Sequence, residues 1–256
     1  LLPQGNYAAR VVKDGSHHLV YNFYFKDGDV NALRVLPPPK ELDTTSDGRL
    51  ILKSYYRWKL MVHTINYQES FTKVRKLLGN PSADLTLQGK KWLLHSRSGY
   101  ELFTFQKPSD CFIWEGDITV QGMGKFGLVT DIDDDGNGYF ISFDITNGLA
   151  QIRAWGFNPN NNQHNFVFNN IQSNIFKTIA PNTFRFSLIR YGHYIELSVD
   201  GVVVLTLIDY TYMGDQVGLY SASSSIEISN FQWNQLTSVE KEYASQEEAV
   251  SKEAEA

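Results

Sequence analysis

Between Phe112 and Trp233 the sequence is a series of short runs in which apolar and polar residues alternate. A period of two residues is typical of β-strands that bury one face. The run FRFSLIRY at 184–191 shows the pattern, with apolar residues at every second position from Phe184. Asp200-Gly201 separates two such runs and is a strong signal for a two-residue hairpin turn. The pattern therefore predicts antiparallel strands joined by tight turns.

A sheet with one apolar face needs a second layer to cover it, so these strands predict a two-layer antiparallel β-sandwich. Further alternating runs around Gly89 and Gly99 extend the pattern upstream. We therefore predict an all-β chain with one sandwich domain over residues 82–236.

The stretch Leu36–Lys40 reads LPPPK and marks a domain boundary. Three consecutive prolines remove three backbone donors, which excludes a strand ladder or helix at that point. Residues 1–35 hold two strand-like runs, which form a hairpin too small to be stable alone. We expect this hairpin to dock on the sandwich or to pair with an upstream segment. Residues 36–81 are predicted as a Pro-rich connector, with a short helix that ends before Pro81.

The charge distribution argues against a nucleic-acid partner. The chain has 23 Lys and Arg against 28 Asp and Glu, a net charge of −5. Six Glu and two Lys lie in residues 237–256, so this predicted acidic tail holds −4 of that charge. The body is nearly neutral and has no basic stripe. Its apolar runs are also much shorter than the roughly 18 residues that a membrane helix needs.

The loop DIDDDGNG contains the carboxylates most suited to a metal ion. Asp131, Asp133 and Asp135 have the DxDxDG spacing of calcium-binding loops. The twelfth position is Ser142 instead of the usual Glu, and strands flank the loop instead of helices. Two interpretations remain open, an acidic hairpin turn and a structural calcium site. The sequence indicates no required cofactor, and its single cysteine, Cys111, excludes a Cys-rich zinc site.

Two other groups of side chains are candidates for chemistry. Glu115 and Asp117 lie two residues apart on one strand face and could act as paired carboxylates, or they could be ordinary strand-edge residues. Trp114, Trp155 and Tyr220 could stack on sugar rings if they face solvent, or they could belong to the core.

Five stretches of the sequence carry a resemblance to a known family, and they are Leu36–Leu42 (LPPPKEL), Asp47–Leu50 (DGRL), Tyr7–Arg10 (YAAR), Tyr194–Gly201 (YIELSVDG) and Ile226–Trp233 (IEISNFQW). They resemble the carboxyl-terminal half of glycoside hydrolase family 32, the invertase, inulinase and levanase family. The first two are the clearest and match the exit from the family's propeller, the third matches its fifth blade, and the last two match its late sandwich strands. The resemblance implies a partial β-propeller blade over residues 1–35, followed by a concanavalin-like sandwich.

The resemblance also implies a function. Tyr7, Arg10 and Asn22 would lie at the rim of the propeller pocket and bind substrate, and the partners would be carbohydrate and an amino-terminal propeller. The family's catalytic motifs, Asn-Asp-Pro-Asn, Arg-Asp-Pro and Glu-Cys, do not occur in this sequence. We therefore expect part of a hydrolase of fructosyl or related bonds that supports the propeller and is inactive alone. The alternatives are a non-catalytic carbohydrate-binding module and a structural interaction domain.

Overall fold

The computed structural model describes residues 2–24, 36–63, 73–157 and 166–237. Within these ranges the chain consists of antiparallel β-strands and one short 3₁₀ helix, Tyr56–Leu60. The prediction of an all-β antiparallel sandwich is confirmed. Among the described residues, no helix has the length and apolar character needed to cross a membrane.

The first four strands form a small antiparallel sheet in chain order. Its strands are β1 (Asn6–Asp14), β2 (His17–Tyr24), β3 (Lys40–Thr44) and β4 (Leu50–Lys53). The Asp14–His17 turn joins the first pair, and Gly15 there has a φ of 60°, which is easily adopted by glycine.

The remaining strands form two sheets that pack face to face. An eight-stranded sheet has the order β17-β16-β15-β10-β19-β8-β7, with β5 paired to β19. Its strands are β5 (Val62–His63), β7 (Ala83–Gln88), β8 (Lys91–Ser96), β10 (Cys111–Val120), β15 (Thr183–Tyr191), β16 (Tyr194–Val199), β17 (Val202–Ile208) and β19 (Ser225–Leu236). A seven-stranded sheet has the order β14-β13-β12-β11-β18-β9-β6. Its strands are β6 (Arg75–Lys76), β9 (Tyr100–Gln106), β11 (Lys125–Ile132), β12 (Gly138–Asp144), β13 (Leu149–Phe157), β14 (Phe166–Ile175) and β18 (Gln216–Ala222).

The main core lies between these two sheets and is rich in aromatic side chains. Trp114 on β10 is fully buried, and its ring meets Phe186 edge-to-face at 5.4 Å and Trp233 at 5.5 Å between ring centroids. Such large rings bury much apolar surface, which is the main favourable contribution to folding.

The segment predicted as a connector contributes strands to both parts of the molecule. β3 and β4 pair with the predicted hairpin and complete the small sheet. β5 is an added strand of the eight-stranded sheet, and β6 is the edge strand of the seven-stranded sheet. The prolines fit the prediction, because regular pairing begins only at Lys40, where backbone donors return.

Of the stretch predicted as a short helix before Pro81, the structure describes residues 73–80, and the part from Arg75 onward is not helical. Arg75–Lys76 is instead a short strand paired with β9, and Leu77 continues this contact through a bond from its N–H to the Leu102 carbonyl. Edge pairing with the sheet outweighs the helical spacing of the apolar residues. Residues 64–72, where the prediction began, lie outside the described residues, as do 25–35 and the tail beyond Thr237.

The small sheet docks on the sandwich through an apolar contact and a polar seam. Val20 and Leu52 of the small sheet pack against Val203 of β17. We use the name polar seam for four side chains that are linked in a row by hydrogen bonds, Lys40, Asn22, Asn6 and Thr206, with the bond between Asn6 and Thr206 connecting the two parts. The Asn22 amide donates to Asn6 Oδ1 at 2.6 Å, and the Asn6 amide donates to Thr206 Oγ1 on β17 at 2.9 Å. Of the two alternatives predicted for the hairpin, docking on the sandwich is observed.

Candidate functional site

The seven-stranded sheet has an aromatic group on the face that points away from the main core. Alternation along β13 places Ala150, Ile152 and Ala154 inward, and it directs Trp155 outward. Five rings, one each from β9, β12, β13, β14 and β18, form a connected group here, and we call them the outer aromatic cluster. They are Tyr100, Phe140, Trp155, Phe168 and Tyr220.

Trp155 is the centre of the outer aromatic cluster. It stacks on Phe140 with ring centroids 5.1 Å apart and an interplanar angle of 25°. Tyr100 and Phe168 meet it edge-to-face, at 5.2 Å and 4.8 Å. These are the arrangements that aromatic quadrupoles favour, so the indole is held in one orientation.

A cleft of about 420 Å³ opens beside this cluster. Its volume is in the range of small-molecule sites in proteins. The cleft combines apolar rings with a carboxylate and an amide, and its lining residues are Leu78, Tyr100, Leu102, Asp135, Gly136, Asn137, Trp155 and Phe157.

One wall of the cleft is held by a buried carboxylate. Glu101 on β9 is fully buried, and its carboxylate accepts hydrogen bonds from the backbone N–H groups of Leu78, Asn80 and Leu102, at 2.6 to 2.8 Å. Charge-assisted bonds of this kind are shorter and stronger than neutral ones. Glu101 therefore fixes the segment that carries Leu78 into the cleft.

Another part of the cleft lining belongs to the turn between β11 and β12. The Asp133 carboxylate accepts from the backbone N–H groups of Asp135 and Asn137 and from the Asn137 amide, at 2.8 to 3.0 Å. Asn137 Oδ1 then accepts the N–H of Phe157 at 2.8 Å, which ties the turn to the end of β13. Gly156 allows this approach, because a Cβ at that position would lie 2.0 Å from Asn137 Oδ1.

The structure does not bring the three predicted calcium ligands together. Asp131 is buried and points away from the turn, where Lys107 Nζ and Arg190 Nε each lie 2.9 Å from its carboxylate. Asp133 closes the turn, and Asp135 is exposed at the cleft. Among the described residues there is no group of three or more His, Cys, Asp or Glu side chains placed to hold a metal ion. The contacts correspond to the acidic hairpin turn, the other interpretation of this sequence.

The predicted substrate-binding residues of the small sheet divide into two environments. Tyr7 is 70% exposed on β1, and Arg10 is also exposed, with a single weak bond from its guanidinium to the Ala9 carbonyl at 3.5 Å. Asn22 differs from the prediction. It is 1% exposed, and its amide donates to Asn6 Oδ1 and to the Phe23 carbonyl within the small sheet instead of facing a ligand.

The polar seam also contains a buried charge. Lys40 is fully buried, with Nζ 3.4 Å from Asn22 Oδ1 and 5.7 Å from the ring centroid of Tyr194. Burial lowers the pKa of the Lys40 ammonium, and the nearby Glu196 carboxylate opposes this shift. The neighbours of this buried charge come from both parts of the molecule, Asn22 from the small sheet and Tyr194 from the sandwich.

The contacts of the predicted carboxylate pair and of the three predicted aromatic residues show the environment of each. Arg185 lies 3.6 Å from Glu115 and 3.2 Å from Asp117, so a cation bridges the two carboxylates on the strand face that they share. Trp114 belongs to the core and Tyr220 is buried, while Trp155 is partly exposed and lines the cleft.

Sequence reasoning did not identify Tyr100, Phe157 or Glu101 as site residues. For Phe157 a signal exists, because Trp155 and Phe157 are two residues apart on one strand and share its outer face. Tyr100 and Glu101 depend on which strands become neighbours, and the local pattern does not specify that.

Comparison with known proteins gives similarities of fold. No family model matches the sequence, and no curated protein matches it. Solved structures do match. The exo-inulinase of Aspergillus awamori aligns with a TM-score of 0.62 and 9% identity, over 92% of this chain and 44% of that one. A family 32 glycoside hydrolase from Bifidobacterium adolescentis aligns with a TM-score of 0.52 and 11% identity, over 93% of this chain and 32% of that one.

A carbohydrate-binding module is also similar. The CBM66 module from Bacillus subtilis aligns with a TM-score of 0.51 and 16% identity, over 63% of this chain and 95% of the module. The fold is thus similar to that of family 32 hydrolases and of a carbohydrate-binding module. The chain spans less than half the length of either hydrolase.

Proposed function

We propose that this chain is the carboxyl-terminal part of a glycoside hydrolase that acts on fructosyl or related glycosidic bonds. The observation that carries the proposal is the alignment with exo-inulinase, which covers 92% of this chain and therefore includes both the small sheet and the sandwich. In this proposal the small sheet is one blade of a propeller, and the sandwich supports it.

The topology of the small sheet supports the interpretation as a blade. Its four strands are antiparallel and lie in chain order, which is the arrangement of a β-propeller blade. The polar seam and the contact with Val203 would hold this blade against the sandwich.

The exposed side of β1 supports the existence of a partner. Within the described residues β1 pairs on one side only, with β2, and it exposes Tyr7, Val11 and Val12. An unpaired strand with exposed apolar residues is a site where proteins associate or aggregate. A neighbouring propeller blade would cover this surface.

The same proposal makes the chain inactive alone. Retaining hydrolysis requires two carboxyl groups about 5 Å apart, one ionised and one protonated. The family motifs that carry these groups are missing from the sequence, and the Glu115 and Asp117 pair is bridged by Arg185.

The test compares hydrolysis of sucrose, inulin and levan by the purified chain with hydrolysis by the chain mixed with a family 32 propeller polypeptide from the same genome. We expect sugar release only from the mixture. Replacing Val11 and Val12 by Asp should abolish both association and activity, because charges would then enter the covered surface. Ile179→Asp, at an exposed apolar residue of the sandwich, is the matched control and should have no effect.

Hydrolysis by the chain alone would contradict the proposal, as would a failure of the chain to associate with the propeller.

The second candidate function, a stand-alone carbohydrate-binding module, is favoured by the aromatic cleft on the seven-stranded sheet. Saccharide binding by a chain that associates with no propeller would favour this second function.

A further inference from the structure

We propose that the cleft beside the outer aromatic cluster binds one residue of a neutral saccharide. This site is formed entirely by the sandwich, and it is separate from the exposed surface of β1. It therefore does not depend on the hydrolase function proposed above.

The apolar part of the cleft suits the C–H face of a sugar ring. Tyr100 and Trp155 meet at an interplanar angle of 63°, which makes a corner of two ring surfaces. Tyr100 is 39% exposed and Phe157 is 49% exposed, so apolar ring area is accessible to a ligand. Phe140 supports Trp155 from behind, so this corner does not have to form when the ligand arrives.

The polar part of the cleft is the Asp135 carboxylate. Its two acidic neighbours are committed, since Asp133 closes the turn and Asp134 forms an ion pair with Arg75 and accepts a bond from Gln216. Asp135 has no ion pair or side-chain hydrogen bond with any described residue, and it is exposed at the cleft. Its two oxygens can accept bonds from neighbouring sugar hydroxyls.

The walls of the cleft are rigid before a ligand binds. Glu101 fixes the Leu78 wall through three backbone bonds, and Asp133 and Asn137 fix the turn between β11 and β12. Preorganised sites lose less conformational entropy on binding, which favours weak ligands such as single sugar residues.

A small organic cation is the competing ligand, since a carboxylate and aromatic rings also suit an ammonium group. The geometry favours the sugar for two reasons. The rings of Tyr100 and Trp155 form an open corner, whereas an ammonium group is usually bound in a cage of rings that surrounds it. The cleft volume of about 420 Å³ also exceeds what a small ammonium group needs.

The experiment is calorimetric titration of the full chain with sucrose, an inulin-type fructo-oligosaccharide, cellohexaose and choline chloride. We expect at least one saccharide to bind, with Kd of about 1 mM. Tyr100→Ala and Asp135→Asn should each weaken that binding about tenfold, because the first removes a ring and the second replaces a charged two-oxygen acceptor by a neutral amide. Tyr100→Phe should retain most of the affinity, since the ring remains.

Tyr210→Ala is the matched control. Tyr210 is 42% exposed, close to the value for Tyr100, and it does not line the cleft. Thermal unfolding of each variant shows whether it is folded.

The proposal is overturned if none of the three saccharides binds at about 50 mM, far above the expected Kd, or if only choline binds. It is also overturned if binding is unchanged in Tyr100→Ala and Asp135→Asn. The hydrolase proposal is tested separately, by sugar release.

Discussion

The Asp131 carboxylate lies between two buried cations at the end of β11. Arg190 is 3% exposed, and the Lys107 side chain is 10% exposed. The backbone of Asp131 has a φ of 55°, a left-handed conformation that Asp and Asn adopt more easily than most residues. The group is therefore part of the sandwich interior. Its removal would leave the buried Arg190 guanidinium without its carboxylate partner, whereas Lys107 would keep its ion pair with Asp110.

Asp131→Asn should lower the free energy of unfolding by about 3–5 kcal/mol, the usual cost of breaking a buried ion pair. Asn keeps the shape and the backbone conformation, so the loss would report the charge. The measurement is urea unfolding of the variant against the parent chain. Asp134→Asn, which removes an exposed partner of Arg75, should have little effect. Equal stability of the two variants would contradict the assignment of Asp131 to a buried ion group.

Gly156→Ala should destabilise the chain and loosen the cleft. Gly156 has a φ of 108°, and an added Cβ would overlap Asn137 Oδ1, which holds the N–H of Phe157. We expect a loss of about 1–3 kcal/mol of unfolding free energy from the strained backbone and the broken contact. Gly192→Ala is the comparison, because Gly192 has a φ of 55° with nothing within 4 Å of the added Cβ. The excess loss at Gly156 over Gly192 reports the contact with Asn137 together with the greater backbone strain at a φ of 108°, and no excess would show that neither matters.

At the scale of elements, the segment from Leu77 to Asn80 forms one wall of the cleft, although β6 before it is only two residues long. Its position depends on Glu101, which satisfies the N–H groups of Leu78 and Asn80. A short edge element of this kind has few contacts of its own, so a single side chain can decide whether it is ordered.

Glu101→Gln should release this segment. The new NH₂ group would face backbone donors, and the lost charge would weaken the remaining bonds, at a cost of about 1–3 kcal/mol. Hydrogen exchange should become faster at the amides of Leu78 and Asn80 while the central strands stay protected. Glu227→Gln, which removes a surface pair with Lys91, is the control and should leave these amides unchanged. Unchanged exchange in Glu101→Gln would exclude this role for Glu101.

The positions of most strands along the chain could be predicted from the sequence. Which strands pair with one another in the sheets could not. The period of two in residues 184–191 reflects a strand with one buried face, which is a local property. Arg75–Lys76 instead became a strand because β9 offered an edge, so its helical spacing misled the prediction. At Asp131 the calcium spacing was present, but Lys107 and Arg190, distant in sequence, determine where its carboxylate points.

At the scale of the whole molecule, tyrosine ionisation should limit stability in alkali. Burial raises the pKa of Tyr24, Tyr139, Tyr194 and Tyr220 above the ordinary value of 10.0. Because the unfolded chain releases these protons near pH 10 and the folded chain does not, stability is complete below pH 10 and falls as the pH rises further.

We therefore expect the midpoint of urea unfolding to fall steadily above about pH 10. In the folded chain these four phenols should stay protonated, and they should titrate only when the sheets unfold. The measurement follows phenolate absorbance and circular dichroism on the same samples. Complete phenol titration near pH 10 with intact circular dichroism would contradict their burial.

The position of β19 determines when the sandwich can assemble. This strand, Ser225–Leu236, lies in the middle of the eight-stranded sheet, hydrogen-bonded to β10 and β8. During synthesis, β10 and β8 leave the ribosome more than a hundred residues before the strand that joins them. Until it arrives, each exposes an unpaired edge and aromatic side chains to the cytosol or to the translocation machinery, and such surfaces are aggregation-prone. Nascent chains that stop short of Leu236 are therefore expected to be substrates for chaperones and proteases, because they cannot close the sheet.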